Sequence, residues 1–227
     1  MTPWAMAAWV VAGLALSAFH GLWLTPRLPE PSDGQSVGKL AYADLVTPRR
    51  VAALVVMTLT AQVATLAAPD PMRPLWLIYG SSVAALVWVD ACTTWLPTKL
   101  TRLVGAQLLV AGMIAVWLGD NPAQISWHLG FGAAAAFVFW LAMWRLSRGG
   151  IGFGDVRLAP LTGVMAATMG LGGWFAALLA GSLLGVIWGL TIGLLHRAPG
   201  TTGGFAYGPS LWAGPYLALV YTMLSGG

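Results

Sequence analysis

Charge is what this sequence has least of. Only 8% of its 227 residues are Asp, Glu, Lys or Arg, against about a quarter in an ordinary soluble domain. So few charges can neither cover a water-facing surface nor form the basic stripe that grips nucleic acid. A soluble globule and a nucleic-acid-binding module are both excluded. Cysteine is almost missing as well. The single thiol, Cys92, can complete neither an internal disulfide nor a multi-thiolate zinc site. No metal or cofactor is therefore expected. What fills the chain is apolar, with 58% hydrophobic residues, and the class that remains is an all-α polytopic bundle in a lipid bilayer.

Crossing the hydrocarbon takes about 20 apolar residues, and uncharged runs bounded by charges, prolines and glycine clusters predict about eight transmembrane helices. The first runs from about Pro3 to Leu24; it is too long, and lacks the basic start, for a cleavable signal peptide. The second, Val51 to Ala68, ends at Ala68-Pro69-Asp70-Pro71, which forbids a continuing helix. The third, fourth and fifth cover about Leu75 to Val89, Leu100 to Leu118 and Ile125 to Leu146. From Leu158 to Leu195 there is no charge at all, and one helix of that length would reach roughly 57 Å, nearly twice the hydrocarbon thickness. The run must turn, and Gly170-Leu171-Gly172-Gly173 is the place, giving a short sixth span and a longer seventh. The eighth runs from about Gly208 to Leu224.

Alternating these spans puts every basic residue except Arg73 on one side. The positive-inside rule makes that side cytoplasmic and leaves both termini outside. The loop from Thr25 to Arg50 is too short for a second folded domain, so residues 1–227 read as one transmembrane domain, with no internal repeat. In the seventh span Gly181, Gly185, Gly189 and Gly193 recur every four residues. Small residues at that spacing let helix backbones approach closely, which is the reading adopted over a glycine-lined substrate groove.

Seven acids are present. Glu30, Asp33, Asp44, Asp70 and Asp120 fall in loops and read as surface charges. Asp90 and Asp155 differ: each sits at the cytoplasmic end of an apolar span, at similar depth. An acid at the edge of the hydrocarbon is costly when ionised and is a functional-site candidate by default. Two such carboxylates brought together cannot both ionise easily, so one keeps its proton while the other acts as base. The alternative is that both anchor at the interface by pairing with Lys99, Arg102 or Arg157.

The surroundings of the two acids favour the first reading. Gly149-Gly150-Ile151-Gly152-Phe153-Gly154-Asp155-Val156-Arg157-Leu158 resembles the Gly-x-Gly-Asp signature of intramembrane aspartic peptidases, in the form found in type IV prepilin peptidases. Val89-Asp90-Ala91-Cys92-Thr93-Thr94-Trp95-Leu96-Pro97-Thr98 is similar to the first catalytic segment of that family, with Thr98 where an Asn is usual. Arg27-Leu28-Pro29 and Ala206-Tyr207-Gly208-Pro209 match weaker family landmarks, in order.

The resemblance implies a bacterial cytoplasmic-membrane aspartic endopeptidase. Asp90 and Asp155 would be its catalytic pair, with Gly152, Gly154 and Pro97 supporting the substrate. It implies a prepilin or pilin-like partner with a basic leader, cleaved at the cytoplasmic face beside the bilayer, and no nucleic-acid partner. The zinc-binding Cys-x-x-Cys domain that full-length members carry after the first span has no counterpart in Thr25 to Arg50, so methylation of the product is not expected. The rivals are a small transporter or ion-binding membrane protein, disfavoured by the lack of acids deep inside a span, and a purely structural membrane subunit.

Overall fold

A computed structural model describes residues 1–29, 40–148, 150–195 and 206–224, without the side chains of 192–195. Glu30, Asp33 and Gly149 lie outside the described residues, and of Gly193 only the helical backbone is described. Nine α-helices follow in chain order among those residues: α1 (Pro3–Ala18), α2 (Pro48–Ala67), α3 (Arg73–Ile78), α4 (Ala84–Thr93), α5 (Thr98–Leu118), α6 (Pro122–Leu146), α7 (Phe153–Ala167), α8 (Gly170–Leu195) and α9 (Gly208–Leu224). The chain forms two compact units, Met1–Trp127 and His128–Gly227.

Among the described residues six helical stretches are long and apolar enough to cross a membrane: Pro3–Arg27, Pro48–Ala67, Asp70–Thr93, Thr98–Leu118, Pro122–Leu146 and Gly170–Thr191. The helices expected as the sixth and eighth spans are present as α7, with 15 residues, and α9, with 17 residues and the expected bounds Gly208–Leu224. The third span is longer than its sequence implied, running from Asp70 to Thr93, and inside it α3 and α4 are joined without a break by a π-helical turn, Tyr79–Val83. A second π turn, Phe19–Leu24, extends α1. Large apolar side chains such as Trp4, Val63, Leu109 and Trp117 face outward. That is the arrangement of a multi-pass membrane protein, whose outer solvent is hydrocarbon.

Helix ends follow local chemistry. Thr2 caps α1, its hydroxyl accepting from the Ala5 N–H at 3.3 Å, and proline occupies the first position of α1, α2 and α6, where its missing N–H is harmless. At α6 the Asn121 side chain accepts from the Gln124 N–H. The expected break inside the long uncharged run is real: α7 stops at Ala167 and α8 starts at Gly170, whose φ of 73° is open to glycine and strained for most other residues.

In the first unit the two π turns are held by hydroxyls. Thr25 donates to the His20 carbonyl at 2.6 Å, and Ser17 donates to the Ser81 carbonyl at 3.0 Å. Ser17 has one proton, so the 2.7 Å contact with Thr58 is a bond that Thr58 donates. The chain Thr58 to Ser17 to Ser81 thus fastens α1 and α2 to the span that carries Asp90.

In the second unit, small residues set the spacing. Gly132 of α6 and Gly163 of α7 meet backbone to backbone, so a side chain on either would strike the other helix, and Trp174 donates to the Gly132 carbonyl at 3.2 Å. Gly181 faces Ser210 and Leu211 of α9, and Gly185 faces Tyr207. The expectation of helix packing for this glycine stripe holds at these two positions.

Candidate active site

Asp90 lies in the last turn of α4 and is 5% exposed. Its helix does not stop at Val89, as the apolar run implied, but continues to Thr93. The stop is made by Thr94 in the left-handed conformation, φ 57° and ψ 27°, whose N–H donates to the Asp90 carbonyl at 2.7 Å. Thr93 adds a second clasp, its hydroxyl donating to the Val89 carbonyl at 2.8 Å and accepting from the Trp95 N–H at 3.1 Å. Nothing in the sequence announces this cap, because a β-branched residue is a poor left-handed former.

Pro97 is buried and caps α5, its carbonyl accepting from both the N–H and the hydroxyl of Thr101. It shapes the turn between α4 and α5. Thr98 opens α5, and Cys92 is half-buried. Trp88, two residues before Asp90, donates from its indole to the Arg50 carbonyl at 2.9 Å and packs against the open side of Gly21.

Asp155 lies in the second unit, in the first turn of α7, and is 8% exposed. Its N–H donates to the Gly152 carbonyl at 3.1 Å. Gly152 is exposed, and a methyl group built on it would sit 3.6 Å from an Asp155 carboxyl oxygen, so this glycine leaves one approach to the carboxyl open. Gly154 is half-buried. Phe153 stacks edge-on to Trp144, with ring centroids 5.1 Å apart, and carries the Arg157 guanidinium 4.9 Å from its ring centre. These contacts brace the glycine-rich turn without placing bulk on Gly152.

Tyr207, flagged in the sequence only as part of a terminal landmark, belongs to the surroundings of Asp155. Its hydroxyl donates to the Ser182 carbonyl at 3.1 Å and its ring lies 5.2 Å from Trp140. Burial raises this phenol above its ordinary value, a hydrogen bond with the Ser182 side chain acts the other way, and the charge of Asp155 adds to the rise. The acids read as surface charges behave as such where described: Asp44, Asp70 and Asp120 are exposed, and Asp70 pairs with Arg73. Among the described residues no three His, Cys, Asp or Glu side chains gather as a metal site would require.

The model of the type IV leader peptidase family matches residues 77–190, half of the chain and a stretch that includes both Asp90 and Asp155. The chain belongs to the type IV leader peptidase family. A relative in Bacillus subtilis (strain 168), the prepilin leader peptidase/N-methyltransferase, is 35% identical to this leader peptidase family member over 98 residues, which are 42% of this chain and 38% of the relative. The matched part thus spans well under half of the relative's length. No solved structure matches.

Proposed function

We propose that this protein is a membrane aspartic endopeptidase that removes the leader from type IV prepilins or pilin-like proteins, with Asp90 and Asp155 as its catalytic pair. The observation that carries the proposal is that the family match spans both acid-bearing segments. Both acids are also more than nine-tenths buried, each in the end turn of its helix.

In this reading the ionised carboxylate takes a proton from water, and the water oxygen attacks the scissile carbonyl carbon. The protonated partner donates to the carbonyl oxygen as negative charge develops there, and the amine leaves with a proton when the C–N bond breaks. The open side of Gly152 gives the extended peptide its approach to Asp155. The concentration of basic residues in the loops next to both acids supports a cytoplasmic orientation of the site. A leader peptide joined to an apolar helix has its scissile bond at the bilayer edge, the depth that both acids occupy by sequence.

Co-expression with candidate prepilins, in cells lacking any other such peptidase, tests the proposal. A downward mobility shift of the prepilin, with N-terminal sequencing that places the cut after the basic leader, is the expected result. An unprocessed prepilin beside well-inserted protein, for every candidate tried, would refute it.

A further inference from the structure

The first unit contains a seam of polar side chains inside its membrane-spanning segments. Ser17, Thr58, Gln62, Thr65, Ser81 and Ser82 are each at most 3% exposed. Half of the seam is satisfied by protein, through the chain from Thr58 to Ser17 to the Ser81 carbonyl. The other half is not. The amide nitrogen and oxygen of Gln62 and the hydroxyls of Thr65 and Ser82 have no hydrogen-bond partner among the described residues.

These groups continue the satisfied half. Gln62 lies one turn beyond Thr58 on α2 and Thr65 three residues further, on the same face. Gly13 lies one turn before Ser17 on α1, and its open side receives the Gln62 amide, where a methyl group would come within 2.5 Å of the amide nitrogen. Ser82 follows Ser81 in the π turn. Nearby, His20 extends the same polarity: Leu16's carbonyl can only accept, so the Nδ1 atom, 2.7 Å away, carries the proton. The neutral ring's Nε2 then accepts from the Gln107 amide nitrogen at 3.2 Å. That bond leaves the Gln107 oxygen buried without a partner.

In hydrocarbon no outside solvent can satisfy such groups, so a ligand that both donates and accepts is required. The seam offers amide N–H donors, carbonyl acceptors and hydroxyls that do either. None of its side chains carries a formal charge to hold an ion. We infer that the seam is an internal hydration site, in which the Gln62 amide and the hydroxyls of Thr65 and Ser82 hold a small cluster of water molecules within the membrane-spanning part of the first unit. One turn from Ser17 and Thr58, on the Asp90 side of the seam, Gly21 and Leu54 pack together with Trp88. The part of the cluster is to fasten the Asp90-bearing span to α1 and α2.

Radiolytic hydroxyl-radical labelling of the full chain in nanodiscs, in water enriched in oxygen-18, tests the inference, because bound water generates radicals where it sits. Tyr79 and His20, both fully buried, are the reporters beside the seam. Met165, fully buried in the second unit, is the dry control. Tyr79 and His20 should gain oxygen-18 while Met165 does not, and Tyr79 labelling should fall to background in Gln62→Leu and in Ser82→Ala. An unlabelled Tyr79 and His20, at doses that oxidise exposed Trp117, overturns the inference whether or not any variant folds. Tyr79 labelling that persists in both variants overturns it too. A higher melting temperature for Gln62→Leu also counts against it, since that is the response of a dry seam relieved of an unsatisfied amide.

Discussion

The ring of Tyr207 occupies the space that a side chain on Gly185 would need. A methyl group built on Gly185 would fall among the Tyr207 ring atoms, and from this slot the Tyr207 hydroxyl reaches the Ser182 carbonyl. The glycine of α8 and the tyrosine ahead of α9 are thus two halves of one contact, which fixes the start of α9. Gly185→Ala should lower stability by about 1–3 kcal/mol, the usual penalty of overpacking. Adding Tyr207→Ala should recover part of that loss. Thermal unfolding of the four proteins of the cycle, in detergent, measures the coupling.

The catalytic assignment predicts that Asp90→Asn and Asp155→Asn each reduce leader cleavage by at least roughly a hundredfold, the lower end of what general acid–base groups contribute. Asparagine keeps size and polarity but can neither take nor give the proton. Asp44→Asn and Asp120→Asn, at exposed positions, should cleave at the parental rate. Prepilin processing in membranes carrying equal amounts of each variant is the measurement. Near-parental cleavage by either of the first two would remove that acid from the chemistry.

Thr94 predicts an effect of opposite sign. Its left-handed backbone costs a residue with a Cβ roughly 1–2 kcal/mol, and Thr94→Gly removes that strain while widening the unfolded ensemble. The net expectation is a gain of about 1 kcal/mol, with cleavage unchanged because the N–H that caps the Asp90 carbonyl is retained. Thr94→Pro deletes that N–H and cannot adopt the required φ, so it should lose both stability and activity. Melting temperature and cleavage rate, read on the same preparations, separate the two cases.

Orientation is tested by single cysteines in a Cys92→Ser background. Ala43 and Asn121 are both exposed, and the charge distribution puts them on opposite sides, with Ala43 in the cytoplasm. A membrane-impermeant thiol reagent added to intact cells should label Asn121→Cys and spare Ala43→Cys. The reverse pattern inverts the topology.

With a single cysteine in the chain, cleavage should survive a zinc chelator, and the processed pilin should carry an unmethylated first residue. Mass spectrometry of pilin from cells with no other such enzyme checks both statements. The relative's printed name includes N-methyltransferase, which makes the comparison of the two products informative.

Much of this protein is legible in its sequence because hydropathy and chain-breaking residues act locally. Fifty-eight per cent hydrophobic residues with 8% charge admit only a membrane bundle. Ala68-Pro69-Asp70-Pro71 and Gly170 mark breaks between helices through their own backbone restrictions, and Asp90 and Asp155 stand out as acids bordering apolar runs. The uninterrupted Asp70–Thr93 span and the left-handed Thr94 were decided by tertiary structure. A π turn persists at Tyr79–Val83 where the Ser17 hydroxyl, 64 positions away, meets the Ser81 carbonyl. Gly185 is required because Tyr207 arrives from another part of the chain. Such features depend on which distant group satisfies a backbone carbonyl or fills a gap, and no local window of sequence contains that information.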